Sequence, residues 1–238
     1  MAVPESHPPV PTGERTVAGS WHENYWFRRH EAGYLAALPF VSGVVVDAGC
    51  GEGDGLRVLA AGGCSVVGLD YDAGCLSRAP APAVRCNLVA LPLAPVSVDA
   101  VVSLQVVEHL WTPDEFLAGC ARVLRPGGRL VVTTPNRLTF SPGLARNTRP
   151  ANVFHVRELD VDELVTELAA HLTVEHVLGV HHGRRLAGTS IVSDQLAAPW
   201  GGWDERLRAL VAGVRARDFV VSPDRVGSSL DLLVVARR

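Results

Sequence analysis

Apolar and polar positions alternate in blocks along the chain, and the blocks predict strands separated by helices. The predicted strands cover 44–49, 64–70, 83–87, 98–104, 129–136, 173–182 and 229–238. The stretches between them carry the apolar spacing of amphipathic helices over 53–61, 71–79, 113–124 and 159–172. Strands that alternate with helices of this length are typical of a mostly parallel sheet covered on both faces.

Three segments fall outside this alternation. Residues 1–18 are rich in proline and poor in large apolar groups, so we expect a disordered N-terminal tail. Residues 19–39 predict a helix with one apolar face, which ends at Pro39. Residues 183–228 predict a long irregular excursion with a helix near 204–216.

Composition narrows the class of protein. The chain has 238 residues, 47% of them apolar, which suits one globular domain. A net charge of −3 without a basic block argues against a nucleic-acid partner. No apolar run is long enough for a membrane span, and the N-terminus lacks the apolar core of a secretory signal, so we expect a cytoplasmic protein. The five cysteines form no CxxC pair and are expected to be small buried residues.

The most informative stretch is VVVDAGCGEGDG at 44–55, a strand that ends at Asp47 and runs into a glycine-rich turn. Glycines let such a turn bend sharply and bring its amides close to a ligand at a helix N-terminus. The rival interpretation is the dinucleotide fingerprint G-x-G-x-x-G. Counted from Gly49 or from Gly51, its third glycine falls on Asp54 or Leu56, so both registers fail.

Two further strand ends carry polar groups. Asp70 closes the second strand, where folds of this kind place a carboxylate for two ribose hydroxyls. The alternative role, capping the following helix, is better suited to Asp72. Asn87 and Leu88 lie at the end of the third strand and suit the edge of an adenine ring.

The ordered series DAGCGEG, GLD, VDAVVSLQVVEHL and VLRPGGRLVVTTPN resembles the class I S-adenosylmethionine-dependent methyltransferases over roughly residues 40–140. The resemblance implies S-adenosyl-L-methionine as cofactor and S-adenosyl-L-homocysteine as product. It implies a Rossmann-like, doubly wound α/β fold with a seven-stranded, mostly parallel sheet and an antiparallel last strand. It also implies a cofactor site made of Asp47, Gly49, Cys50, Gly51, Asp70, Tyr71, Asn87, Leu88, Leu104 and Gln105.

A hydroxyl acceptor must lose its proton as it takes the methyl group, and histidine is the usual base near neutral pH. Glu108 and His109 follow the fourth strand, beside the sulfonium by analogy, although such a pair also occurs where it only packs and caps. His155 lies in NVFHVRELD, a segment suited to an acceptor cleft, although Arg157 or Glu158 could satisfy it as a loop histidine. We expect Glu108, His109 and His155 to be catalytic.

The helix over 19–39 is expected to cover the cofactor. Arg28 could hold the methionine carboxylate, although a solvated amphipathic face would also explain the charges around it. Neighbouring residues in a strand point apart, so His181 and His182 are unsuited to sharing a metal ion, and no metal site is predicted. Acceptor binding is expected of His30, Tyr25, Asn136, Arg137 and Arg157.

GERTVAGSWHENYWFRRHEAGY, PNRLTFSPG, NVFHVREL and DFVVSPDRVGSSLDLLVVARR are together similar to actinobacterial O-methyltransferases of methylglucose and methylmannose polysaccharide synthesis. That resemblance implies a saccharide hydroxyl as acceptor. Residues 19–238 then form one methyltransferase domain, a monomer or homodimer, with acceptor-side lids at 137–160 and 183–228. Two alternatives stay open: a quinone- or polyketide-type small-molecule acceptor, and a cofactor-binding protein without turnover.

Overall fold

A computed structural model describes residues 19–238, so the tail predicted for residues 1–18 lies outside the described part. The strands are β1 Val44–Ala48, β2 Ser65–Asp70, β3 Ala83–Arg85, β4 Val98–Leu104, β5 Leu124–Pro135, β6 Thr173–His182, β7 Phe219–Ser222 and β8 Asp231–Arg237. The helices are α1 Asn24–Ala37, α2 Asp54–Ala61, α3 Ala73–Leu76, α4 Pro113–Val123, α5 Arg137–Phe140, α6 Val161–Ala169, α7 Ile191–Ala197 and α8 Glu205–Gly213.

All eight strands form one sheet in the order β3-β2-β1-β4-β5-β8-β6-β7. Strands β1 to β5 pair in parallel, and the strand order reverses its direction between β1 and β4. In open α/β sheets, ligands bind outside the carboxyl ends of the strands at such a switch point. The fold therefore directs attention to the loops that follow β1 and β4.

The far edge of the sheet runs antiparallel. Strand β8 lies between β5 and β6 and is antiparallel to both, which confirms the predicted direction of the last strand. The expected count of seven strands is wrong, because β7 adds an eighth at the edge. Its four residues fall inside the excursion predicted as irregular, and four residues are too few to show a clear alternation.

Helices cover both faces of the sheet, as the doubly wound prediction requires. On one face Phe116 of α4 and Leu164 of α6 pack in a cluster with the strands. On the other face Tyr34 of α1 and Leu59 of α2 do the same.

A third apolar cluster joins the start of α1 to the 183–228 excursion. It includes Tyr25 of α1, Ile191 of α7 and Val211 of α8. The excursion is thus packed onto α1. No helix within residues 19–238 is long and apolar enough to cross a membrane.

Candidate active site

A cleft of about 1910 Å³ runs along the carboxyl ends of the parallel strands. One wall comes from α1 and the loops after β1, β2 and β3. The opposite wall comes from the turn after β4, from the 137–160 segment and from the 183–228 excursion. Both segments predicted as acceptor-side lids therefore contribute lining residues, including Phe140, His155, Leu196 and Trp200.

The glycine-rich turn after β1 forms the floor of one end of the cleft. Gly49 has a φ of +91°, and the backbone amides of Gly49 and Cys50 both donate to the carbonyl of Leu69, at 2.7 and 3.0 Å. A Cβ on Gly49 would lie 2.3 Å from Val106 Cγ2, whereas a Cβ on Gly51 would meet nothing within 4 Å. Gly51 thus faces open space, and the turn leaves room for a ligand to approach its backbone.

Asp70 stands at the end of β2 beside this turn. Its carboxylate accepts hydrogen bonds from the amides of Gly51, at 2.8 Å, and Asp72, at 2.9 Å. Asp72 itself caps α3 by accepting from the amide of Gly74. The capping role therefore belongs to Asp72, and Asp70 joins the glycine turn at the cleft wall.

The adenine-side predictions also fall on the cleft. Asn87 and Leu88 both line it, and Asn87 Oδ1 accepts from the amide of Val89 at 3.2 Å. Tyr71 is largely exposed, and the guanidinium of Arg85 lies over its ring. Cys50, Leu104 and Gln105 complete the cofactor-side lining expected from the sequence.

Asp47 is the predicted cofactor residue that the cleft lining does not include. Its carboxylate is fully buried and accepts hydrogen bonds from the Tyr34 hydroxyl, at 3.0 and 3.1 Å to its two oxygens. Burial raises the pKa of Asp47 to about 7. Tyr34, which sequence reasoning missed, lines the cleft. Asp47 therefore contacts the cleft only through the side chain of Tyr34.

A buried ion pair fixes α1 over the cleft. Arg29 Nε donates to Asp231 Oδ2 at 2.6 Å, and a second guanidinium nitrogen donates to Oδ1. Gln105 has a left-handed backbone with φ of +58°, and its side-chain Nε2 donates to Asp231 Oδ1 at 3.2 Å. Sequence reasoning missed both charged residues. The signal in the sequence that could have pointed to Arg29 is its position on the apolar face of the predicted helix, where a charged residue needs a partner.

Arg28 and His30 both line the cleft, as predicted. Arg28 contacts Asn24 and forms an ion pair with Glu31 at 2.7 Å. His30 Nε2 lies 3.3 Å from the carbonyl of Leu104, and burial lowers the pKa of its imidazole. His30 therefore touches the strand end at which the sulfonium was expected.

The three predicted catalytic residues meet on the acceptor side. Side-chain nitrogen and oxygen atoms of Glu108, His109 and His155 lie within 4.8 Å of one another, and all three residues line the cleft. The sequence predicted no metal-ligand cluster, because His155 lies far along the chain from Glu108 and His109. Burial raises the pKa of Glu108.

Each histidine of this cluster has a defined partner at Nδ1. His155 Nδ1 lies 2.8 Å from Glu158 Oε1, so the alternative contact considered for this residue does form. His109 Nδ1 lies 3.0 Å from the carbonyl of Phe154. The two rings meet edge to face at 5.1 Å. Glu158, which also lines the cleft, was considered in the sequence only as a partner for His155.

The structure does not bring four predicted acceptor-binding residues to the cleft. The Tyr25 hydroxyl bonds His182, and the Asn136 amide donates to carbonyls of residues 226, 227 and 229. Arg137 forms buried ion pairs with Asp160 and Glu163, and Arg157 pairs with Glu167. Sequence position placed these residues near the site, but their side chains have partners elsewhere in the protein.

Aromatic side chains form the rim of the acceptor side. Trp200 is 52% exposed and stacks on His22, with ring centroids 4.9 Å apart. Trp111 is 82% exposed, and both tryptophans line the cleft. Trp203 differs: it is buried and donates from its ring nitrogen to the carbonyl of Ala198.

The switch-point cleft, the glycine turn and the carboxylate after β2 together define a Rossmann-like protein that binds a nucleoside-containing cofactor. The Methyltransferase domain family model matches residues 46–132. A probable S-adenosylmethionine-dependent methyltransferase of Mycolicibacterium smegmatis is 48% identical, over 95% of this chain and 94% of its own length. The chain belongs to the class I S-adenosylmethionine-dependent methyltransferases.

Two more distant similarities agree with this assignment. A ubiquinone biosynthesis O-methyltransferase of Mesorhizobium japonicum is 34% identical over 46% of this chain and 48% of its own length. A crystal structure of an S-adenosylmethionine-dependent methyltransferase from Mesorhizobium loti has a TM-score of 0.58 at 24% identity, covering 88% of this chain and 98% of that one. The second similarity concerns the fold alone.

S-adenosylmethionine is the cofactor, and the cleft fits it. Gly51 leaves the space that a side chain would fill, and Asp70 is positioned beside it. Asp54 at the start of α2 would repel a pyrophosphate, whereas a sulfonium amino acid carries no phosphate. These relatives do not support the narrower resemblance to sugar methyltransferases, because their names specify no sugar.

Proposed function

We propose that this protein transfers the methyl group of S-adenosylmethionine to a hydroxyl of a saccharide or polysaccharide precursor. The observation that carries the proposal is the convergence of Glu108, His109 and His155 on the cleft that the glycine turn also lines. A hydroxyl nucleophile needs a group that accepts its proton or lowers its pKa, and this cluster offers imidazole and carboxylate groups for that task.

When bound, the cofactor supplies a methyl group on positively charged sulfur, which keeps the electron pair of the broken carbon–sulfur bond. The protein's part is to hold the acceptor oxygen in line with that bond and to exclude water. In this proposal the glycine turn, Asp70 and Asn87 hold the cofactor, and Arg28 binds its carboxylate. The cluster after β4 orients the acceptor hydroxyl.

The exposed aromatic rim supports a saccharide as acceptor. Large exposed aromatic side chains grouped at a cleft mark a binding surface. Trp111 and Trp200 offer flat apolar faces. The carbon–hydrogen faces of a sugar ring can pack on such side chains while its hydroxyls reach the polar groups deeper in the cleft.

One observation favours a second candidate. Part of the chain is similar to a ubiquinone biosynthesis O-methyltransferase, so a quinone- or polyketide-type phenol is the alternative acceptor. The same aromatic rim would pack on a phenol ring.

A labelled-methyl assay separates the candidates. The full chain is incubated with S-adenosylmethionine carrying a labelled methyl group, and with a panel of mono- and oligosaccharides beside a panel of catechols and hydroquinones. Labelled saccharide supports the proposal, and label only in phenols supports the second candidate. Calorimetric binding of the cofactor without any labelled product would indicate a binding protein without turnover.

Variants connect the activity to the cluster. Glu108→Gln keeps the shape of the side chain and its hydrogen bond from Thr134, so it should retain cofactor binding and lose turnover. His176→Gln removes an exposed histidine outside the cleft lining and serves as the control. Full turnover in Glu108→Gln would remove the cluster from the proposed mechanism.

A further inference from the structure

The cluster of Glu108, His109 and His155 has the arrangement of a metal site. One carboxylate and two imidazoles offer ligand atoms that all lie within 4.8 Å of one another. In a tetrahedral site with ligands about 2.0–2.2 Å from the ion, the ligand atoms lie about 3.3–3.6 Å apart, so the side chains would approach one another by up to about 1.5 Å when the ion binds.

The Nδ1 contacts assign the lone pairs of both histidines. A carboxylate and a carbonyl accept hydrogen bonds, so Nδ1 carries the hydrogen in His155, bonded to Glu158, and in His109, bonded to the Phe154 carbonyl. The Nε2 atom of each neutral ring then carries the lone pair that binds a metal. Histidine ligands in metalloproteins donate their other ring N–H to a carboxylate or carbonyl in this way.

Asn152 gives independent support for this assignment. Its Oδ1 accepts from the amide of Phe154 at 3.1 Å, which fixes the orientation of the side-chain amide. The NH₂ group therefore faces His155 Nε2 at 3.0 Å and donates to it. A ring nitrogen that accepts a hydrogen bond can equally bind a cation, which would replace this contact.

The carboxylate of the cluster has an unused oxygen. Glu108 is 1% exposed, and its Oε2 accepts from Thr134 at 3.0 Å. Its Oε1 has no hydrogen-bond partner among residues 19–238. A buried carboxylate oxygen without a partner is unfavourable, and a bound cation would satisfy it.

The backbone holds the two ligand-bearing segments together. The carbonyl of Glu108 accepts from the amides of Val156, at 2.8 Å, and Arg157, at 3.3 Å. His155 is thereby fixed beside the turn that carries Glu108 and His109. A general base would need one imidazole facing the acceptor, whereas three converging ligand atoms match what a cation needs.

We infer that Glu108, His109 and His155 bind one divalent transition-metal ion whose open coordination positions face the cleft and take the acceptor hydroxyl. Imidazole ligands favour zinc, iron, nickel or copper over magnesium, calcium or manganese, which suit oxygen ligands. Three protein ligands leave room for substrate, as in catalytic metal sites. The inference rests on the proposed O-methyl transfer for the role of the ion, but the ion's binding can be measured without turnover.

The ion acts as a Lewis acid and is neither oxidised nor reduced. Coordination lowers the pKa of the acceptor hydroxyl, whose proton passes to water. The oxygen then forms its bond to the methyl carbon as the carbon–sulfur bond breaks. Neither histidine takes up the proton in this scheme, because both Nε2 lone pairs bind the ion.

The test is titration of the full chain, freed of metal by a chelator, with cobalt(II) chloride, followed by visible absorption. We expect one ion per chain and absorption bands of a low-symmetry site. Glu108→Gln and His155→Gln should weaken binding at least about 100-fold, and His176→Gln should leave it unchanged. Glu158→Gln should weaken it about 10–100-fold, as expected when the partner of a ligating histidine is altered.

Circular dichroism and cofactor titration of each variant establish that it is folded. Absence of stoichiometric cobalt binding, or equal binding in His155→Gln and His176→Gln, would overturn the site. Undiminished methyl transfer by the metal-free chain would overturn the ion's role while leaving the proposed function intact. Cobalt binding without methylation of any hydroxyl acceptor would support the metal site but overturn the proposed function.

Discussion

The two ends of the cleft are built in different ways. On the cofactor side the key contacts are local, and most involve the backbone: Asp70 bonds the amides of Gly51 and Asp72, 19 and 2 residues away. On the acceptor side, side chains that are distant in sequence meet: His155 reaches a turn more than 40 residues earlier. The ion pair that fixes α1 over the cleft is also long-range, since Arg29 and Asp231 are 202 residues apart.

The bounds of the family model follow this difference. The family model covers 46–132, which includes the glycine turn, Asp70 and Asn87. His155, the Trp200 rim and the 183–228 excursion lie beyond it. A local strand-and-turn unit can be kept while the segments that cover the acceptor vary.

The largest expected effect concerns the long-range contacts. Arg29→Met leaves the Asp231 carboxylate buried without its partner, and should lower the free energy of unfolding by about 3–5 kcal/mol. Arg28→Met is the control, because its partly exposed ion pair with Glu31 should contribute at most about 1 kcal/mol. Urea unfolding measures both.

A double variant shows whether the loss comes from the stranded charge. Arg29→Met with Asp231→Leu removes both partners and should recover most of the stability. If the double variant were as unstable as the single one, packing of α1 rather than the unpaired charge would explain the loss.

The next effect concerns the cofactor side. Asp70→Ala removes the acceptor for the Gly51 amide and the expected ribose contacts, each worth about 1.5–3 kcal/mol as bonds to a charged group. Calorimetric affinity for S-adenosylmethionine should fall about 100-fold or more. Asp114→Ala, an exposed carboxylate outside the cleft lining, is the control. A loss below about threefold would show that Asp70 does not hold the cofactor.

A third variant tests the contact between α1 and the start of α2, just after the glycine turn. A Cβ on Gly55 would lie 2.0 Å from Tyr34 Cζ, so Gly55→Ala must displace the ring that bonds Asp47. We expect a loss of about 1–3 kcal/mol in thermal or urea unfolding. Gly201→Ala, with nothing within 4 Å of its Cβ, should be neutral. Equal stability of the two variants would mean that the α1–α2 contact adjusts without cost.

The buried Asp47 predicts a pH dependence. Its pKa is raised from 3.8 to about 7, so the folded chain keeps this proton in a range where the unfolded chain has lost it. The stabilisation is therefore complete below about pH 4 and is lost as the pH rises to about 7, with a slope of at most about 1.4 kcal/mol per pH unit. Asp47→Asn should remove this part of the slope from unfolding measured across that range. An unchanged profile would place the titration on other groups.

The smallest expected effect lies on the acceptor rim. Trp200→Ala removes an exposed stacking surface worth about 0.5–1.5 kcal/mol, so the acceptor KM should rise roughly 2- to 10-fold. The cofactor affinity should stay constant, because Trp200 is outside the family's cofactor segment. A parallel loss of cofactor affinity would show that the rim and the cofactor side are coupled.

Much of the fold and of the cofactor side could be predicted, and the reason is local. Strands β4 and β6 have the predicted bounds, and the largely apolar run of β4 carries a strong local pattern. Strand β7 could not be predicted, since its four residues form a strand only by pairing with β6. Asp47 was expected at the cofactor, but its burial and its hydrogen bond from Tyr34 depend on how α1 packs on the sheet.

The sequence by itself determined the class of the protein. Its strand periodicity, its glycine turn and the carboxylate at the end of β2 are each set by a short stretch of sequence, and all three lie within residues 44–70, so their chemistry can be recognised from the sequence. Only the tertiary structure decided which acceptor-side groups meet. It brought Glu108, His109 and His155 together and directed Arg137 into a buried ion pair with Asp160, because those contacts depend on packing between segments far apart in the chain.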